Sequence, residues 1–216
     1  MKRLLLTTSI LAAGCWAMPH AYADRPATPA ERQAAGFDDP AIPYMIREMP
    51  AARSHMPRSP KGIPGSKFQT RLGAAFLGRT SDYTFGFAPP PSTGCDSGTE
   101  RFATAAFDLP QGARIHYLDV FAFDANASDD MLVFLQQVCQ DLGSLDPPVV
   151  TQLGNTTTSG SAGNALVTLD FSAAPIEVNR YTCHYLVRVN LAYPSGACTT
   201  SIGLDKARIQ YTNAGN

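Results

Sequence analysis

The chain has 216 residues, 44% of them hydrophobic and 16% charged, with 17 glycines, 17 prolines and a formal net charge of −1. That length can bury the core of one sizeable domain and still leave an appendage. A balance this close to neutral, with Lys and Arg scattered, excludes the basic footprint of a nucleic-acid binder.

Residues 1–23 have the form of a secretory signal peptide. Lys2 and Arg3 supply a basic start, Leu4 to Met18 are almost all apolar or small, and Ala21-Tyr22-Ala23 is a small-x-small cleavage site. The run is too short and wrongly flanked to span a bilayer, so no transmembrane segment is expected. Removing the signal takes away two positive charges and moves the net from −1 to −3. The expected destination is the periplasm or the extracellular space. Leu11-Ala12-Ala13-Gly14-Cys15 is similar to a bacterial lipoprotein box, but Ala12 stands where Leu is usual, and the later A-x-A site fits better.

Residues 24–65 change character, with prolines at 26, 29, 40, 43, 50, 57, 60 and 64. Repeated proline blocks helix and central strand alike, so this arm is expected to be extended and largely disordered. Two features stand against that. Thr28-Pro29-Ala30-Glu31 has capping-box spacing with Pro at the first helical position and Gly36 as a stop. Ile42, Tyr44, Met45 and Ile46 form an apolar knot that could dock on the folded domain.

From residue 66 to 216 the signals are those of strands. Gly73 to Gly78 reads as a short strand, and Tyr83, Phe85 and Phe87 alternate with Thr84 and Gly86 before Pro89-Pro90-Pro91. Ala103, Ala105, Phe107 and Leu109 then alternate with Phe102, Thr104, Ala106 and Asp108 until Pro110 and Gly112 stop the run. In the next strand Ile115 lies on the opposite parity from Leu118, Val120 and Ala122, which a bulge near His116 or Tyr117 would reconcile. A further strand carries Met131, Val133 and Leu135 against Leu132, Phe134 and Gln136. Later runs are Val149–Leu153, Ala165–Phe171, Arg180–Leu191 and Ile202–Tyr211. Short strands with turn signals between them predict an all-β fold, an antiparallel jelly-roll-like β-sandwich.

Pairing the strand around Val120 with the strand around Val133 as a hairpin, Ala122 opposite Met131, places six aliphatic side chains on one core face. Tyr117, Phe121, Phe123, Leu132 and Phe134 then share the other face, with Asp119 and Gln136. An aromatic face of that kind is a candidate ligand or partner surface for a glycan, a protein or a second copy of the chain. Between the two strands, Asp124, Asn126, Ser128 and Asp130 place oxygens at alternating positions, as the first half of a calcium loop does. The Gly and Glu of a full loop are missing, and Asx turns explain the same residues. Calcium is the one cofactor suggested.

Four cysteines follow the signal: Cys95, Cys139, Cys183 and Cys198. In an exported chain they predict two disulfides. A hairpin about Tyr193 to Gly196 would hold Cys183 and Cys198 about eight residues, roughly 26 Å, apart. Cys139 ends one strand and Cys183 begins another on core-facing parity, so the preferred pairing is Cys139 with Cys183 and Cys95 with Cys198. Their spacings do not suit zinc. The sequence lacks the nucleophile-elbow, zincin, phosphate-loop and dinucleotide motifs. Asp108, Asp119 and Asp170 sit on strands and could only pair for glycoside hydrolysis if the fold converged them, and His184 reads as a rim residue.

Phe107-Asp-Leu-Pro-Gln-Gly-Ala-Arg-Ile115, Val120-Phe-Ala-Phe-Asp124, Leu132-Val-Phe-Leu135, Tyr185-Leu-Val-Arg-Val189 and Ala207-Arg-Ile-Gln-Tyr211 together resemble a group of uncharacterised secreted bacterial β-sandwich proteins. These share an LP-x-GA-x-I turn before a strand and a closing strand ending I-x-Y. The likeness spans roughly residues 70 to 212 and implies the fold without an activity. The combined expectation is an exported, non-catalytic binding or structural module, with a secreted hydrolase of glycans or peptides as the alternative.

Overall fold

The computed structural model describes residues 24–48, 63–78, 85–88, 92–95, 100–159 and 163–215; the expected signal of residues 1–23 lies outside them, as does the proline-rich stretch 49–62. In chain order the elements are β1 (Asp24–Pro26), α1 (Pro29–Ala34), β2 (Tyr44–Arg47), β3 (Lys67–Leu72), a 3-10 turn at Gly73–Ala75, β4 (Leu77–Gly78), β5 (Phe85–Ala88), β6 (Ser92–Cys95), β7 (Phe102–Phe107), β8 (Arg114–Asp124), β9 (Asp130–Cys139), β10 (Val149–Thr157), β11 (Gly163–Asp170), β12 (Ile176–Glu177), β13 (Cys183–Tyr193) and β14 (Ile202–Thr212). The short strand expected over Gly73 to Gly78 is therefore mostly the 3-10 turn, with only its last two residues paired.

Two seven-stranded sheets pack face to face. The first runs β1-β2-β10-β9-β13-β7-β4; the second runs β11-β8-β14-β6-β5, with β12 also on β8 and β3 also on β14. Pairing is antiparallel except where β2 lies parallel to β10. The protein is thus the all-β, antiparallel, jelly-roll-like sandwich its alternation predicts. Inward residues of both sheets make one core: Ala105, Phe107, Met131, Val133, Leu135, Val187 and Val189 from the first meet Leu118, Val120, Ala122, Leu169, Leu204 and Ile209 from the second. The parity break in β8 is resolved as expected. Across β8 and β14, Tyr117 faces Gln210 and Ile115 faces Tyr211, so His116 is the extra, bulged residue.

The hairpin between β8 and β9 is corrected by the pairing. β8 bonds to β11, β12 and β14, whereas β9 bonds to β10 and β13 in the other sheet. The turn after Asp124 carries the chain across the sandwich instead of folding it back beside itself. Both arrangements bury the same six aliphatic residues, and for that reason a period of two cannot tell a hairpin from a crossover.

Residues 24–48 form folded structure where a disordered arm was expected. Thr28 caps α1 with a complete capping box, and Pro29 opens the helix. The hydrogen bonds from Arg25, with the backbone N–H of Thr28, hold the Glu31 carboxyl down at about 2. Gly36 takes φ of 71°, and a Cβ there would lie 2.6 Å from Arg188 Nη2 and 2.7 Å from the Phe102 ring. Only glycine lets the chain turn so close to the sheet. Beyond it Ile42, Tyr44 and Ile46 pack on Leu132, Phe134 and Val150 in a second apolar cluster. The knot docks.

Both disulfides join the expected partners, Cys95 with Cys198 at a Cα separation of 5.2 Å and Cys139 with Cys183 at 4.0 Å. Cys139 and Cys183 are directly opposed across β9 and β13. The expected hairpin between the strands of Cys183 and Cys198 is absent, since β13 and β14 belong to different sheets.

Candidate functional site

The five residues expected to share one face lie on two. Tyr117, Phe121 and Phe123 are on the outer face of the second sheet, while Leu132 and Phe134 are on the outer face of the first, buried under the docked arm. The split follows directly from the crossover between β8 and β9. With Leu132 6% and Phe134 2% exposed, those two form an internal contact.

What remains is a platform spread over four strands. Register sets Thr168, Asp119, Arg208 and Thr70 in one row across β11, β8, β14 and β3. The next row is Leu166, Phe121, Lys206 and Leu72, and another is Asp170, Tyr117, Gln210 and Phe68. Period-two alternation keeps all of these on the side away from the core. Tyr117, Phe121 and Phe123 are half-buried, and on the edge strand Phe68 is 48% and Leu72 62% exposed.

Charges are interleaved with the rings. Arg208 Nη2 donates to Asp119 Oδ2 at 2.6 Å and its Nε to the same oxygen at 3.2 Å, while Thr168 Oγ1 donates to Asp119 Oδ1 at 2.9 Å. The same guanidinium lies 4.8 Å from the Phe68 ring centre and 5.4 Å from that of Phe121, which also has Lys206 Nζ at 4.5 Å. These are cation–π distances, and they hold the long basic side chains down on the rings. Sequence reading missed Phe68, Lys206 and Arg208. Phe68, Thr70 and Leu72 do alternate with Lys67, Gln69 and Arg71, a short edge-strand signal.

The polar loop after β8 is built from its own hydrogen bonds. Asp124 accepts from the Asn126 N–H and from Thr158 Oγ1, and Asn126 Oδ1 accepts from Ser128 N–H, Ser128 Oγ and Asp129 N–H. These are Asx turns. Burial and the neighbouring Asp124 and Asp129 carboxylates push the Asp130 carboxyl above its ordinary range. Among the described residues no three His, Cys, Asp or Glu side chains gather as a metal cluster.

Asp119 and Asp170 lie in adjacent rows of the same outer face, while Asp108, just past the end of β7, belongs to the other sheet. Asp119 is held by Arg208, Asp170 Oδ1 accepts from the Ser172 N–H, and Asp108 lies at the flank of the sandwich beside Arg180 at 3.3 Å. His184 lies at that flank, exposed, as its parity predicts. His116 is instead buried, with Nε2 3.0 Å from Thr212 Oγ1, and burial together with Arg114 lowers its pKa.

No family model and no curated protein matches the chain. Among solved structures it is similar to the CBM36-1 domain of a multidomain xylanase from the hindgut metagenome of Trinervitermes trinervoides, at 14% identity and TM-score 0.42, over 69% of this chain and 100% of that one. It is also similar to a family two carbohydrate esterase from Cellvibrio japonicus, at 10% identity and TM-score 0.35, over 70% of this chain and 36% of that one. The GH26-CBM35 beta-(1,4)-mannanase of Podospora anserina gives 10% identity and TM-score 0.35, over 69% and 28%. These are remote likenesses of fold, and no activity is taken from them. Among the described residues no helix is long and apolar enough to cross a membrane.

Proposed function

We propose that the protein is an exported, non-catalytic glycan-binding module whose sugar platform is the outer face of the second sheet. The observation that carries this reading is the alternation, across four adjacent strands, of half-exposed rings with hydrogen-bonding groups. Aromatic faces suit the apolar C–H face of a sugar ring, and a few placed polar groups fix its hydroxyls. Lys206 and Arg208 provide the donors, and Asp119 holds the Arg208 guanidinium in place. The two disulfides support an oxidising destination. Hydrolysis by paired carboxylates is the weaker reading, because Asp119 is already held by Arg208 and Thr168.

The test is a glycan array on the mature protein, with and without calcium, followed by calorimetry on the best hit. Phe121→Ala is expected to weaken that hit about tenfold, a loss of roughly 1.4 kcal/mol. An array without hits, together with a dimer in light scattering that Phe121→Asp converts to monomer, would replace this reading with self-association through the same face.

A further inference from the structure

A second site lies on the flank, where β3 of one sheet approaches the edge of β7 in the other. β4 pairs with β7 only at Thr104 and Ala103, so the edge beyond them has no strand partner among the described residues. The Arg71 Nε donates to Ala106 O at 3.0 Å and closes that edge with a side chain. Beside it opens a cleft of about 300 Å³ lined by Arg71, Phe107, Asp108, Arg180, His184 and Tyr185 among others.

Among the described residues the charges in this cleft do not balance. Arg180 Nη2 is 3.3 Å from Asp108 Oδ1, and both side chains are well exposed. Arg71 is half-buried, with its guanidinium 5.9 Å from the centre of the Phe107 ring, and no carboxylate among the described residues pairs with it. A partly desolvated guanidinium keeps unused donors in a planar fork that matches a carboxylate. The space exceeds what a bare anion needs and is close to the lower bound for small-ligand sites, about 300 Å³. Phe107 and Tyr185, 4% and 2% exposed, back the cleft from the core, and the Tyr185 hydroxyl is already engaged with the Asn179 N–H and Glu177 O.

We propose that this cleft binds a carboxylate-bearing sugar unit, a uronate, with Arg71 and Arg180 on the carboxylate. The proposal takes from the preceding reading only that the ligand is a sugar, and its site is separate from the platform. Asp108 competes with the ligand for Arg180, so its removal should improve binding.

The test is calorimetric or chemical-shift titration of the full mature chain at low salt with D-galacturonate, D-galactose and inorganic phosphate. Galacturonate is expected to bind, and tenfold more weakly in Arg180→Gln. Asp108→Asn is expected to bind it several-fold more tightly, and Phe121→Ala to leave it unchanged. Because Asp108 and Arg180 are exposed, both variants should keep the wild-type circular dichroism and Tm. Absence of galacturonate binding, equal binding of galactose or of phosphate, or indifference to both flank substitutions would overturn the proposal. If neutral glycans bind with Phe121 dependence while galacturonate fails, only the cleft assignment falls. The reverse result removes only the platform.

Discussion

Tyr44→Phe removes one oxygen from the seam between the docked arm and the first sheet. Tyr44 is 2% exposed; its hydroxyl donates to Gln152 Oε1 at 2.9 Å and accepts from Gln136 Nε2 at 3.1 Å. Both glutamines are buried, and Gln136 Oε1 already lacks a hydrogen-bond partner. Without the hydroxyl, two more buried amide atoms lose theirs, at a cost of about 1–3 kcal/mol. For a chain of this size about 2 kcal/mol lowers Tm by roughly 4–8 °C, readable by calorimetry at neutral pH. A second readout is alkaline. Burial pushes the Tyr44 hydroxyl up to about 12, against the opposing hydrogen bond from Gln136. From about pH 10, where an unfolded tyrosine ionises, to about pH 12, the unfolded state loses a proton that the folded state keeps. Stability therefore falls as pH rises through that window, and Tyr44→Phe should make the fall shallower. An unchanged Tm together with an identical alkaline slope would refute the account of the seam.

Asp130→Asn should raise Tm at neutral pH, since the raised Asp130 pKa marks a charge the fold disfavours through burial and the nearby Asp124 and Asp129. The gain should vanish below about pH 4, where the carboxyl is protonated in folded and unfolded chains alike. Millimolar calcium in the same scans tests the loop directly: a rise in Tm that Asp130→Asn abolishes would place the ion there, and the existing Asx turns predict no rise. Non-reducing peptide mapping should recover Cys139 with Cys183 and Cys95 with Cys198, and Cys139→Ser with Cys183→Ser should cost about 4 kcal/mol by loop-closure entropy in chemical denaturation. Arg208→Met strands the buried Asp119 carboxylate with Thr168 alone and should destabilise by about 3 kcal/mol in urea titrations.

Alternation along β7, β8, β9, β13 and β14 was enough to define the core, because a period of two forces alternate side chains onto one face whatever the strand pairs with. The same local logic found the His116 bulge and the capping box at Thr28; the disulfide partners are as expected, but the opposition of Cys139 and Cys183 comes from the pairing of β9 with β13, and the hairpin expected to separate Cys183 from Cys198 is absent. It could not say which strands are neighbours. Leu118, Val120 and Ala122 bury themselves equally well beside β9 or across the core from it, so only the tertiary structure decided that Phe121 and Phe134 look out on opposite sides of the molecule. The arm poses the same question of place. Its prolines stop short of Tyr44–Arg47, which pairs with β1 on one side and β10 on the other, and only the surface offered by Leu132, Phe134 and Val150 repays its ordering. Both candidate sites are likewise products of assembly. Phe68 meets Arg208, and Arg71 meets Ala106, from positions far apart in the chain, and only sheet register brings them together.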